Sequence, residues 1–275
     1  MKNDSPLVDV QWLKDHLDDA NVVVVDTRFS LADPQQGRRQ YQAGHIPGSV
    51  YLDLDQDLSG RIQARGGRHP LPDWDGFVET LNRIGVRSAP PTQVVIYDDS
   101  RFAFAARLWW MLRYLGHGQV AILDGGIKAW EAVGLPLETA EPRKQPGDFV
   151  AAPQTDWIVD IETVKQRKDL PGVMLVDSRS PERYRGEVEP IDPVAGSIPG
   201  AANAFWKQVT TEDGYLKDAS ALAEHWQGVN SDKDMVFYCG SGVTACVNLF
   251  SLAAMGHRIY KLYPGGWSDW CSYQN

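Results

Sequence analysis

One cysteine in this sequence stands in a setting suited to a charged sulfur. Cys239 ends the apolar run Met235–Tyr238 and opens the stretch Cys239-Gly240-Ser241-Gly242-Val243-Thr244. The run reads as a buried strand, and the apolar pattern over Thr244–Met255 reads as a helix. Between them, two glycines let backbone N–H groups turn inward and let the chain approach a ligand closely. Such amides, together with a helix N-terminus, favour negative charge. A thiol at that edge is expected to ionise below its usual value of ~8.5 and so to act as a nucleophile or sulfur carrier. The amides of Gly240, Gly242, Val243 and Thr244 would form the cradle, and the Thr244 hydroxyl is placed either to cap the helix or to donate to a bound oxygen or sulfur. The plainer alternative is a packed cysteine at a strand end. That plainer role is the expected one for Cys246, inside the helix, and for Cys271.

The whole chain sets the limits. Its 275 residues suffice for two domains, and 43% hydrophobic with 23% charged residues suits buried cores rather than disorder. A net charge of −9 argues against nucleic acid or an anionic membrane as partner, though a local arginine cluster can still hold a small anion. No run approaches the ~18 apolar residues of a membrane span. MKNDSPLVDV lacks the apolar centre of a signal peptide, so a cytoplasmic protein is expected. Three widely spaced cysteines signal neither a disulfide framework nor a zinc ribbon, and no metal or organic cofactor is suggested.

The elements that must position Cys239 occur twice. Val22-Val-Val-Val-Asp26-Thr-Arg28 recurs 151 residues on as Val173-Met-Leu-Val-Asp177-Ser-Arg179. AGHIPG at 43–48 recurs as AGSIPG at 195–200, and VVIYDD at 94–99 faces MVFYCG at 235–240. LGH at 115–117 faces MGH at 255–257, and DGGIKAW at 124–130 faces PGGWSDW at 264–270. Pairs that keep their order across both halves indicate a duplicated domain. The apolar runs suit strands of a parallel sheet, separated by helical patterns at Asp73–Ile84, Phe104–Leu115, Ala219–Trp226 and Thr244–Met255. The polar, proline-containing stretch 138–153 reads as the linker between domains 1–140 and 153–275. Trp109, Trp110, Trp130, Trp267 and Trp270 fall at repeat-matched or helical positions and are expected in the cores.

Opposite Cys239 the first copy carries Asp98, and DSR replaces GSG. An aspartate cannot carry sulfur as a persulfide, so the first domain is expected to keep the fold and to be catalytically silent.

With these motifs the chain resembles the tandem-domain rhodanese family, the thiosulfate and 3-mercaptopyruvate sulfurtransferases. The resemblance runs over nearly all of the chain. It rests on AGHIPG and AGSIPG, DSR at 177–179, RYRGE at 183–187, the loop from Cys239 to Ala245, and GGW at 265–267. It implies two α/β domains, each a mainly parallel sheet flanked by helices, packed face to face with one site in the second half. It also implies a ping-pong cycle, in which Cys239 takes a sulfane sulfur from a small anionic donor, becomes a persulfide, and passes the sulfur to cyanide or to a thiol such as a small dithiol or a thioredoxin-like protein.

The motifs divide on the donor. Gly240 and Ser241 resemble the 3-mercaptopyruvate enzymes, since thiosulfate enzymes more often carry Arg and Lys there. The same resemblance implies a Ser–His–Asp set at Ser241, His69 and Asp53, in which His69 moves a proton through Ser241 and Asp53 fixes the imidazole. The bland reading of His69 is a loop histidine beside prolines. Arg183 matches one arginine of the family's carboxylate clamp, but Ile191 stands where the second is expected. Arg185 is the nearest stand-in, although pairing with Glu187 or Glu189 would occupy it equally well. Thiosulfate therefore stays open as the alternative donor. Two other classes are weaker. A cysteine phosphatase needs an arginine closing the loop, where this chain has Thr244-Ala245-Cys246. A non-enzymatic persulfide carrier or redox module would need only the cysteine and a protein to unload it.

Overall fold

The computed structural model describes residues 5–227 and 233–274. The chain divides into two compact units. Unit 1 holds residues up to Gly60, Pro72–Gln154 and Glu212–Leu216; unit 2 holds Arg61–Leu71, Thr155–Thr211 and Lys217 onward. Each unit thus includes a short segment from the opposite half of the sequence.

Unit 1 runs β1 (Leu7–Val8), α1 (Val10–His16), β2 (Val22–Asp26), α2 (Gln36–Ala43), β3 (Val50–Tyr51), α3 (Trp74–Arg83), β4 (Gln93–Tyr97), α4 (Ala105–Tyr114), β5 (Val120–Leu123) and α5 (Gly126–Ala132). Its strands form a five-stranded, wholly parallel sheet in the order β1-β5-β4-β2-β3. The central β2 and β4 are buried at every residue, as strands covered on both faces must be. The expected helix 73–84 forms as α3, with Asp73 accepting from the Gly76 N–H at 2.9 Å as its N-cap. Trp109, Trp110 and Trp130 are core residues, at most 1% exposed.

Unit 2 runs α6 (Ile161–Arg167), β6 (Val173–Asp177), α7 (Pro181–Tyr184), β7 (Ala202–Asn203), α8 (Ala219–His225), β8 (Asp234–Tyr238), α9 (Ala245–Ala254), β9 (Lys261–Leu262) and α10 (Gly266–Cys271). Its sheet is parallel, in the order β7-β6-β8-β9. A parallel bridge between Ile158 and Leu262 stands where unit 1 has β1 beside β5. No helix among the described residues is long and apolar enough to cross a membrane.

The repeated motifs are the points at which each unit is tied together. At the end of β2, Asp26 takes the Arg28 guanidinium at 2.6 Å, and the same guanidinium donates to the Gly44 carbonyl at 2.8 Å. In unit 2, Asp177 takes Arg179 at 2.6 Å, and Arg179 donates to the Gly196 carbonyl at 2.7 Å. The same two loops are held from β4 and β8: Ile46 N–H donates to the Tyr97 hydroxyl at 3.2 Å, and Ile198 N–H to the Tyr238 hydroxyl at 3.1 Å. Burial pushes both phenols well above their ordinary ionisation, so they stay neutral there. The matched glycines of DGGIKAW and PGGWSDW also share a cause. A Cβ on Gly126 would lie 2.1 Å from the Asp98 carbonyl oxygen, and one on Gly266 2.6 Å from that of Cys239.

The stretch read as a linker is a bound strap rather than a free spacer. Gly147 N–H donates to the Asn82 carbonyl at 2.7 Å, Ala152 N–H to Leu115 at 2.9 Å and Gln154 N–H to Tyr114 at 2.8 Å, while Phe149 is buried. Its polar composition hid the backbone groups that anchor it to unit 1.

Candidate active site

Cys239 directly follows β8, an interior strand, and is 2% exposed. The loop after it is shaped by close approaches to the residues before α10. Gly242 has φ +72°, and a Cβ there would lie 2.4 Å from the Pro264 carbonyl oxygen, so both conformation and space require glycine. The Trp267 N–H donates to the Cys239 carbonyl at 2.8 Å, and the Ser268 N–H to that of Gly240 at 2.9 Å. α9 begins at Ala245 with Thr244 at its cap position, but the Thr244 side chain makes no capping bond. Of its two expected roles, capping is therefore not the one the structure uses. Cys246 is packed inside, its thiol on the Gly242 carbonyl at 3.5 Å. Cys271 is also buried, and burial pushes its thiol up. Trp267 and Trp270 belong to the surrounding core.

Unit 2 also contains residues 61–71, and this segment completes the loop's surroundings. Gly66 N–H donates to Asp269 at 2.7 Å and Arg68 N–H to Ser268 Oγ at 3.2 Å, which fixes the segment against α10. His69 follows directly. Its Nδ1 shares a 2.7 Å hydrogen bond with Ser241 Oγ, and both residues are buried. Asp53 lies in unit 1. There its Oδ1 accepts the N–H groups of Asp55 and Gln56 at 2.8 and 3.1 Å, and its Oδ2 the Tyr51 hydroxyl at 3.3 Å.

Arg183, at the end of α7, stands beside the loop. A Cβ on Gly240 would lie 3.6 Å from its Nη2 and 3.8 Å from its Nη1. It would lie nearer still, at 2.9 Å, to Nη2 of Arg68, which sequence reasoning missed. Two guanidinium groups thus flank Gly240. Asp192 holds both: its Oδ1 takes Arg68 Nη1, and its Oδ2 takes Arg183 Nη2 at 3.2 Å. Glu189 takes Arg183 at 2.7 and 3.1 Å and Arg179 at 3.2 Å. The expected stand-in is engaged otherwise. Arg185 is half-exposed and forks onto Glu187 at 2.6 and 3.0 Å, a local ion pair in solvent. Ile191, at the position of the family's second arginine, is exposed.

The corresponding loop of unit 1 has its cradle filled. The Asp98 carboxylate accepts the backbone N–H groups of Ser100, Phe102, Phe104 and Ala105, at 2.9 to 3.1 Å. Full burial nonetheless raises its pKa against the pull of those amides. In place of the glycine turn, Arg101 and Phe102 adopt φ of +60° and +69°. The amides that converge on an anion survive in this copy, but a side-chain carboxylate occupies them.

Comparison with known proteins agrees with this architecture. Residues 9–133 and 160–273 each match the rhodanese-like domain. A Pseudomonas aeruginosa protein provisionally named 3-mercaptopyruvate sulfurtransferase is 43% identical over 96% of this chain and 94% of its own. A Mycobacterium tuberculosis protein provisionally named thiosulfate sulfurtransferase SseB is 40% identical over 91% of this chain and 88% of its own. The crystal structure of SseA from Escherichia coli, described among 3-mercaptopyruvate sulfurtransferases, superposes with a TM-score of 0.85 at 32% identity, covering 96% of this chain and 99% of that one. With both halves matched in sequence and in fold, the chain belongs to the rhodanese family as a tandem-domain sulfurtransferase.

Proposed function

We propose that this enzyme moves the thiol sulfur of 3-mercaptopyruvate to a thiol or cyanide through a persulfide on Cys239, in which it is held as a sulfane sulfur. The bond between His69 and Ser241, two residues from Cys239, is the observation that carries this choice of donor. Mercaptopyruvate differs from thiosulfate in what leaves. The Cys239 thiolate attacks the donor's sulfur, the carbon–sulfur bond breaks, and its electron pair passes to the pyruvate enolate. That enolate must gain a proton. His69, acting through the Ser241 hydroxyl, is suited to supply it, and pyruvate and Cys239–S–SH result. In the second half-reaction a thiolate or cyanide takes the outer sulfur and returns Cys239 as thiolate. No external oxidant or reductant enters.

The other residues act before and around that step. Arg68 and Arg183 bind the donor carboxylate through charge-assisted bonds. The amides of Gly240, Gly242, Val243 and Thr244, with the start of α9, stabilise the thiolate and the persulfide anion. The Thr244 hydroxyl, not used as a cap, is available to donate to either. Asp53 is proposed to set the orientation of His69. Unit 1, with Asp98 in the cysteine position, takes no sulfur. The acceptor is a small dithiol or a thioredoxin-like protein, and the protein acts in the cytoplasm.

Thiosulfate is the second reading, because the guanidinium pair beside Gly240 could hold the oxygens of thiosulfate as well as a carboxylate. Steady-state turnover with both donors decides between them. A kcat/KM at least tenfold higher for mercaptopyruvate supports the first reading, and the reverse preference replaces it. If neither donor is turned over while Cys239 still accepts a persulfide, the protein is a carrier.

A further inference from the structure

The guanidinium groups beside Gly240 do not meet an anion with their charge unopposed. The Asp192 side chain, 2% exposed, lies between them and bonds to both Arg68 and Arg183. Behind it, Glu189 pairs with Arg183 and with Arg179, and Asp177 pairs with Arg179. Three guanidinium groups are thereby matched by three carboxylates, and the cluster carries no net charge. Its cations can still form directional bonds to a donor, because Arg68 and Arg183 remain partly open to solvent, at 28% and 17% of their side chains. They do not supply an excess of positive charge.

That balance separates donors by charge. 3-Mercaptopyruvate brings one carboxylate, and its single charge is met by the N–H fork of the two arginines. Thiosulfate is a dianion. Its second charge would lie within several Å of the Asp192 carboxylate, in a partly buried site where like charges repel far more than in water.

We propose that Asp192 is the charge filter of the donor site, a fixed counter-charge that favours monoanionic carboxylate donors over dianionic sulfur oxyanions. The inference rests on the assignment of Arg68 and Arg183 to donor binding. Asp192 touches the arginines rather than the reacting atoms, so its effect must appear as a ratio between ligands of different charge. A purely structural carboxylate would change both ligands together.

The test compares Asp192→Asn with the parent in a Cys239→Ser background, where no turnover occurs. Sulfate serves as the dianion and pyruvate as the monoanion, with binding read by calorimetry at low and high salt. Asp192→Asn is expected to tighten sulfate about tenfold relative to pyruvate, with the gain shrinking as salt screens it. Arg68→Gln, which alters the balance in the opposite sense, should weaken sulfate more than pyruvate. With Cys239 intact, Asp192→Asn should raise thiosulfate kcat/KM relative to mercaptopyruvate. Equal changes for sulfate and pyruvate in both variants would overturn the proposal. A wild-type enzyme that does not turn over mercaptopyruvate would instead remove the assigned donor, while the sulfate-to-pyruvate ratio would still report whether Asp192 filters charge.

Discussion

His69 Nδ1 and Ser241 Oγ lie 2.7 Å apart although 172 positions of sequence separate them. The hydroxyl of a loop serine therefore has an imidazole partner, which the proposed reaction uses to pass a proton to the leaving enolate. The sulfite that leaves thiosulfate needs no such proton at neutral pH. Ser241→Ala and His69→Asn are accordingly expected to lower kcat for mercaptopyruvate about 100-fold or more, and to change thiosulfate turnover only severalfold. Equal losses with both donors would show that the pair merely shapes the loop.

Sulfur loading should be confined to one position. Incubation with donor and no acceptor is expected to add the mass of one sulfur atom per chain, on the peptide containing Cys239. Cys239→Ser should abolish it. Cys246→Ala and Cys271→Ala should leave it in place, since Cys246 lies inside α9 with its thiol on the Gly242 carbonyl, and Cys271 ends α10 with its thiol pushed up by burial. A second sulfur on wild-type protein would contradict the assignment, as would loading that survived Cys239→Ser.

Arg68 and Arg183 share the Asp192 carboxylate, so their removal should not be additive. Each single change to alanine is expected to raise KM for mercaptopyruvate by roughly 10- to 100-fold, the range for losing a charge-assisted bond. The double change should cost clearly less than the product of the two. Arg185→Ala, which removes only a solvent-exposed pair with Glu187, should leave KM within about twofold. A KM raised by Arg185→Ala and untouched by Arg68→Ala would return the clamp to the position first expected from the sequence.

That exchange of arginines marks how far the sequence could be read. The strands β2, β4, β6 and β8, the four helices named from their patterns, and the repeated motifs that carry Asp26–Arg28 and Asp177–Arg179 were legible because each rests on local periodicity or on a pattern that occurs twice. The strand end before Cys239 and the glycine turn after it were legible from their neighbours alone. Arg68 was not. It sits in RIQARGGRHP, a polar loop without periodicity, and gains its place only when Gly66 bonds to Asp269, 203 positions away. Sequence order assigned that loop to the first domain, whereas it belongs to unit 2. Asp192 was equally silent, because a carboxylate beside a proline reads as a solvated turn until two arginines are found on it.

The ion cluster also gives the fold a defined response to acid. Glu189 is buried, which by itself would raise its pKa, but bonds from Arg183 and from the N–H groups of Asp192 and Ile191 outweigh burial and hold it below the ordinary 4.5. Unfolded, the same side chain takes up a proton near 4.5. Between the lowered folded value and 4.5 the unfolded state therefore binds more protons, so stability falls as pH falls. Above that window the contribution of Glu189 is complete. Glu189→Gln leaves Arg183 and Arg179 short of a counter-charge and should cost about 3 kcal/mol near neutrality, the scale for breaking one side of a buried pair. Because glutamine does not titrate, the gap in unfolding free energy between the two proteins should stay constant from neutral pH down to about 5 and narrow below it. Urea unfolding of both across that range measures the gap directly. A gap that widened on acidification would mean that Glu189 is protonated in the folded protein and that Arg183 depends on Asp192 alone.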